Sequence, residues 1–153
     1  MTKKFKFGVL AVLACMALTA APVMAAPPLA VLFDVTAGIA SDPDPFTASG
    51  PAVDAGLVCP TGETTDLSNV SSGPPGGTFT ILRVTKRFTC DSGGTFDVKL
   101  VVYLDLVTHE TTANWNIVGG TGAYAGLHGG GKLAGVPIVP RVSIQDSYDG
   151  KVH

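Results

Sequence analysis

Positive charge is scarce in this sequence. Ten Lys and Arg stand against twelve Asp and Glu in 153 residues, and charged side chains make up only 14% of the chain. Three of the bases, Lys3, Lys4 and Lys6, sit at the very start, which leaves everything after them mildly acidic. Proteins that bind nucleic acid concentrate positive charge to displace counterions from phosphates, so no nucleic-acid partner is expected. Histidine is scarce as well, limited to His109, His128 and His153. No pair of them has the short spacing of zinc ligands, and His128 lies in a run of glycines, so no metal is expected. No serine stands in the strand–turn–helix context of a nucleophile elbow. After the first 25 residues apolar positions nowhere recur at the helical period, which argues against a helical bundle.

Cysteine occurs three times, and the first lies in a different kind of segment from the other two. Residues 1–25 read as a signal peptide: a basic start, an apolar run from Gly8 to Ala21, and small residues at Val23-Met24-Ala25 where a signal peptidase would cut. The run is short for a spanning helix, which needs about 20 residues, and Pro22 ends it. The competing reading takes Val12-Leu13-Ala14-Cys15 as a lipoprotein signal with the chain anchored through Cys15. Cleavage after Ala25 is favoured because the apolar stretch continues past the cysteine. A secreted or periplasmic protein follows, with residues 26–153 forming one domain. In that exported context Cys59 and Cys90 are expected to be joined in a disulfide.

The rest of the chain reads as strands and turns. Ala30 to Ala37 is β-branched and apolar, the first strand. Ser41-Asp42-Pro43-Asp44-Pro45 reads as a solvated turn. A short strand is expected between Pro51 and Pro60, ending at Cys59, and the polar segment from Gly62 to Gly77 reads as a long surface loop. Thr78 to Cys90 then alternates, with Leu82, Val84, Phe88 and Cys90 on one face and Lys86 as the exception among them. After the Asp91-Ser92-Gly93-Gly94 turn, Thr95 to Thr108 alternates again, with Phe96, Val98, Leu100, Val102, Leu104 and Leu106 facing one way. Further strands are expected over Thr112 to Val118 and Ile138 to Lys151. Short strands with Gly and Pro turns imply a sandwich or a closed barrel.

Between Asn114 and Gly135 a strand-like run gives way to a glycine-rich stretch interrupted by Tyr124, Leu127 and Leu133. A turn with at least one glycine at positive φ is expected over Gly119 to Gly122, followed by a buried Tyr124 ring and a sharp bend at Gly129 to Gly131. Gly120-Thr121-Gly122-Ala123-Tyr124-Ala125 fits a dinucleotide fingerprint, but the glycines that follow deny it the helix whose N-terminus would hold the pyrophosphate. Gly126 to Lys132 imitates a phosphate loop, yet Leu133 stands where a magnesium-binding Ser or Thr belongs. No nucleotide, dinucleotide or other cofactor is expected. The Ile117-Val118-Gly119-Gly120-Thr121-Gly122-Ala123-Tyr124 segment resembles the signature of the allene oxide cyclase and dirigent superfamily, in the manner of small secreted bacterial relatives. The resemblance implies a single antiparallel β-barrel with an apolar ligand inside, and an architectural role for Gly119, Gly120, Thr121, Gly122 and Tyr124. The arginine that follows the dirigent signature is missing, so no catalytic residue is carried over.

Two functions from different classes remain open. The first is a non-catalytic barrel that binds a small apolar ligand or associates with further copies of itself; the all-apolar Phe96–Leu106 row motivates it. The second is a cyclase or isomerase acting on a reactive unsaturated molecule by confinement, with Asp97, Arg83, Tyr103 and Asp105 as weak catalytic candidates. Which face of the Thr95–Thr108 strand points inward discriminates them. The cost of burying charge favours the apolar row inside.

Overall fold

The computed structural model describes residues 26–38 and 40–153; the expected signal peptide lies outside the described residues. Eight strands follow in chain order: β1 (Leu29–Gly38), β2 (Asp44–Ser49), β3 (Thr61–Ser72), β4 (Phe79–Cys90), β5 (Thr95–Asp105), β6 (Thr111–Gly120), β7 (Gly129–Val139) and β8 (Ser143–Val152). Each pairs antiparallel with the next, and β8 returns to β1 over the full register from Leu29↔Val152 to Gly38↔Ser143. The sheet is therefore a closed barrel, which leaves no strand edge unpaired. The expected all-β barrel is what the chain forms, and the open sandwich is excluded.

Strict alternation sets which side chains fill the interior. On β5, Phe96, Val98, Leu100 and Val102 are buried while Lys99, Val101 and Tyr103 are exposed. The apolar row points inward, as the cost of burying charge requires. Phe33 of β1 is the hub of the packed part, 1% exposed, with the rings of Phe46, Phe88, Phe96, Trp115 and Tyr148 centred 5.3 to 6.5 Å away. Room for these rings comes from glycine on the neighbouring strands. A Cβ on Gly150 would run into the Trp115 ring and the Gly130 carbonyl.

One end of the barrel is capped. A single helical turn, α1 (Pro51–Asp54), buries Ala52 under it, and Val58 and Cys59 follow into the core. Cys59 is bonded to Cys90 at the end of β4, as expected, with their Cα atoms 5.9 Å apart. Closing this loop of 31 residues stabilises the fold by about 3–4 kcal/mol in the loop-entropy account. The glycine signature lies at the same end. Gly122 has φ 59°, and the backbone N–H of Thr121 donates to the Thr95 carbonyl at 2.8 Å while its hydroxyl accepts from the Thr95 N–H at 3.0 Å. Tyr124 then buries its ring against Phe96, 5.8 Å between centroids. The stretch thus latches the β6–β7 connection onto the β4–β5 hairpin.

Three expected elements differ from what forms. The segment between Pro51 and Pro60 is helical turn and loop, not strand, because Pro51 starts a helix readily at its first position and Ala52 fits under the cap. The polar segment after Gly62 is strand β3: its outer side chains meet water, and its inner ones include Gly62, Thr64, Asp66 and Asn69. A strand whose two faces are solvent and a polar cavity carries no apolar alternation to detect. Finally, Gly129–Gly131 opens β7, which runs on to Val139 before a tight turn leads into β8. The glycine triplet makes no bend, since Gly129 and Gly131 lie flat against the backbones of Lys151 and Asp149 on β8.

Candidate functional site

The barrel's other end is open. Towards the ends of β1, β3, β5 and β7 and the beginnings of β2, β4, β6 and β8, the inward side chains no longer meet, and a cavity of about 650 Å³ remains. Its apolar wall is made by Leu82 and Val84 of β4, Leu100, Val102 and Leu104 of β5, and Leu133, Pro137 and Ile144 of β7 and β8. The lower half of the Phe96–Leu106 row is packed core and the upper half lines this space.

Charged side chains stand among these apolar ones. Lys86, the exception in the apolar row of β4, is 7% exposed and projects into the barrel. Its Nζ is 2.7 Å from Asp66 Oδ1 on the paired strand β3 and 4.0 Å from Asp44 Oδ2 on β2. Asp44, expected in a solvated turn, is instead buried at the start of β2. Its Oδ1 accepts hydrogen bonds from the Gly38 N–H at 3.0 Å and the Ser41 hydroxyl at 2.9 Å. These partners, with Lys86, repay the desolvation of one carboxylate.

Asp146 of β8 completes the polar set, and it is less well served. Among the described residues its one hydrogen bond comes from the Thr111 hydroxyl, at 3.2 Å, and no lysine or arginine pairs with it. Space for the carboxyl exists because its strand partner is Gly135, where any Cβ would collide with Asp146 and Thr111. Burial is the main reason that its pKa rises from 3.8 to about 6; the Thr111 hydrogen bond and Lys86 oppose the rise, and Asp44 and Asp66 add to it. Two residues on, Tyr148 lines the floor of the cavity and is 1% exposed. Its hydroxyl has no hydrogen-bonding partner among the described residues and yet is not sealed from the cavity. Burial first, then Asp146, Asp66 and Asp44, hold its pKa well above the ordinary tyrosine value.

The mouth is framed by two turns. His109 and Arg141 both adopt left-handed backbone, φ 62° and 61°, and Arg141 Nε donates to His109 Nε2 at 3.4 Å. His128 and His153 pair through their backbones beside the capped end, far from His109 along the barrel. No three His, Cys, Asp or Glu side chains among the described residues come together as a metal-ligating group.

The four catalytic candidates taken from the sequence are not in this cavity. Asp97 sits on the outer wall and receives a two-pronged hydrogen bond from Arg87, at 2.8 and 2.9 Å. Arg83 reaches along the outside to the Ser72 hydroxyl at 3.2 Å. Tyr103 is 45% exposed and stacks on Phe79. Asp105 caps the turn after β5 by accepting from the Thr108 and Val107 N–H groups, which hold its carboxyl below the usual range, Thr108 most. Sequence reading missed Asp44, Asp66, Lys86, Asp146 and Tyr148. The signal for the first three was the lysine in the inward row of β4, because a buried lysine obliges carboxylates to face it. A comparison with models of known protein families finds no match, and neither do searches of curated proteins and of solved structures.

Proposed function

We propose that this protein holds a small, largely apolar molecule in the open end of its barrel. The observation that carries the reading is the cavity itself: about 650 Å³, walled largely by aliphatic side chains, with several polar groups set among them. Such concave, mostly apolar sites with a few convergent polar groups are the usual form of small-molecule pockets. The likeness of residues 117–124 to the allene oxide cyclase and dirigent signature supports the same reading. The disulfide is compatible with an exported protein, and export is proposed together with a signal peptide over residues 1–25. Native mass spectrometry of the protein as purified, and after incubation with lipid and metabolite extracts, tests binding. Retained mass is expected for the parent and lost in Val102→Trp, whose indole occupies the cavity. No retained mass in either protein overturns the proposal.

A cyclase or isomerase is the second reading, and one observation favours it. Asp146 is a cavity carboxyl with a pKa of about 6, suited to exchanging a proton near neutrality. In that reading the acid is Asp146 and not any of Asp97, Arg83, Tyr103 or Asp105. Turnover of a bound unsaturated ligand that disappears in Asp146→Asn, with binding retained, is the result it requires. Self-association is a separate proposal, motivated by Val101, Tyr103, Val118 and Val136 standing exposed on the outer wall. Light scattering at increasing concentration tests it.

A further inference from the structure

Resting on the ligand-binding reading, the geometry points to the chemical class of the ligand: an amphipathic molecule whose head is a protonated amine, seated between Asp146 and Tyr148 with its apolar body along the aliphatic wall. Around the cavity stand three carboxylates, Asp44, Asp66 and Asp146, against two cations, Lys86 inside and Arg141 at the mouth. Lys86 is committed to Asp66 at 2.7 Å, and Asp44 has two donors besides Lys86. Among the described residues Asp146 has only the Thr111 hydroxyl and no counter-cation. Independently of the acids, the Tyr148 hydroxyl, on a side chain nine-tenths buried and more, has no protein partner among the described residues and borders the same space. Two neighbouring polar groups on β8 therefore lack partners that a ligand head can supply.

The sign of the missing charge decides the class. A carboxylate or phosphate head at Asp146 and Tyr148 would meet the unpaired Asp146 carboxylate, with Lys86 already held by Asp66 and Arg141 out at the mouth beside His109. An ammonium donates to Asp146 and lies in the field of all three acids. The acids do not gather closely enough to form a metal-ligating group, so a compact ion is a poorer match than an organic cation that brings its own apolar surface. Ion pairing in a sheltered site is stronger than in water because the surroundings screen it less.

The test is competition against a neutral fluorescent probe, N-phenyl-1-naphthylamine, by decylamine, decanol and decanoate at about pH 8, where Asp146 is ionised and the amine is protonated. Decylamine is expected to displace the probe at about one-tenth the concentration of decanol or lower, on the scale of one hydrogen bond to a charged group, and decanoate is expected to be weakest. In Asp146→Asn the decylamine-to-decanol ratio should fall towards one while the probe still binds. The parent supplies a second readout that does not depend on the variant folding: the ratio should shrink as the pH is lowered below 6 and Asp146 takes up its proton. Asp44, Asp66, Lys86 and Tyr148 also face this site, with His109 and Arg141 at the mouth, so the shrinkage must be absent in Asp146→Asn to be assigned to that carboxyl. Probe binding with decanoate equal to or tighter than decylamine, or a ratio unchanged in the variant, overturns the amine assignment and leaves the cavity reading standing. No binding of the probe or any competitor overturns both.

Discussion

At the capped end of the barrel, Phe33 meets five aromatic rings, α1 closes the opening, and glycine stands where a larger residue would strike Trp115. At the open end the same eight strands carry Asp44, Asp66, Lys86 and Asp146 around an unfilled space. The two ends share a backbone and differ in what points inward. The first is built for density, where each lost atom leaves a void; the second gives up packing and buries charge. The glycine signature from Gly119 to Tyr124 belongs to the first end and adds no side chain to the walls of the cavity.

The sharpest contrast is expected from truncating the aromatic hub. Phe33→Ala removes a fully buried ring from the middle of that cluster, for a loss of about 3–5 kcal/mol, a large part of the roughly 5–15 kcal/mol that holds a domain together. Val102→Ala at the cavity wall removes less and enlarges a space that already exists. Urea unfolding should give a much lower midpoint for Phe33→Ala than for Val102→Ala. Similar midpoints would mean that the capped end is not the denser one.

Asp146 gives the open end a pH signature. Its folded pKa of about 6 exceeds the ordinary 3.8, so between these values the folded protein keeps a proton that the unfolded chain releases. Stability therefore falls as pH rises through this window, by up to about 3 kcal/mol, and stays lower above it. Asp146→Asn keeps an acceptor for Thr111 and removes the cost. The variant is expected to match the parent near about pH 4 and to exceed it at about pH 8. Taking the difference between the two proteins cancels the titration of Asp44, Asp66 and the outer acids. A variant less stable than the parent at both pH values would contradict the burial argument.

What could be read in the sequence follows the same division. The long hairpin of β4 and β5 was legible because one of its faces is apolar and the other polar, the condition under which alternation is visible. Gly122 in left-handed backbone and Tyr124 in the core were legible because glycines after a strand have few other uses. Strand β3 was not, since its inner positions Thr64 and Asp66 face the polar wall and look like the outer ones. Asp44 was hidden for a related reason: beside Pro43 and Pro45 it has the composition of a turn, and only closure of β2 against β3 and β1 turns it inward. Asp146 and Tyr148 alternate correctly in β8, but which face of β8 is inside depends on pairing with a strand more than a hundred residues earlier. The candidate site was unreadable because cavities interrupt the hydrophobic pattern that marks a core.

A smaller effect separates glycines within the signature itself. Gly119 has no atom within 4 Å of where a Cβ would stand, whereas a Cβ on Gly120 would strike the Tyr124 carbonyl. Gly122 has open space apart from Gly94 at 3.5 Å, but its positive φ strains any side chain. Alanine should therefore be nearly neutral at Gly119, cost about 1–2 kcal/mol at Gly122, and cost at least as much at Gly120, where the latch must shift. The order of urea midpoints checks this, and a variant at Gly119 as unstable as the other two would show that glycine serves there for a reason other than space.

The smallest effects are expected on the outer wall, and there the comparison becomes a control for function. Asp97→Asn weakens the pair with the partly exposed Arg87, and Tyr103→Phe removes a hydroxyl from a half-exposed ring that keeps its stack on Phe79. Exposed ion pairs contribute little because water already solvates both partners and salt screens what remains. Neither side chain borders the open-end cavity. Both variants should therefore bind N-phenyl-1-naphthylamine as the parent does, with urea midpoints barely moved. Asp97 and Tyr103 alternate with Val98 and Val102 on a single strand, so the same few residues of β5 carry both sides of the test. If Asp97→Asn abolished probe binding in a folded protein while Val102→Trp left it intact, the site would lie on the outer wall and the assignment of the two faces to structure and to ligand would have to be exchanged.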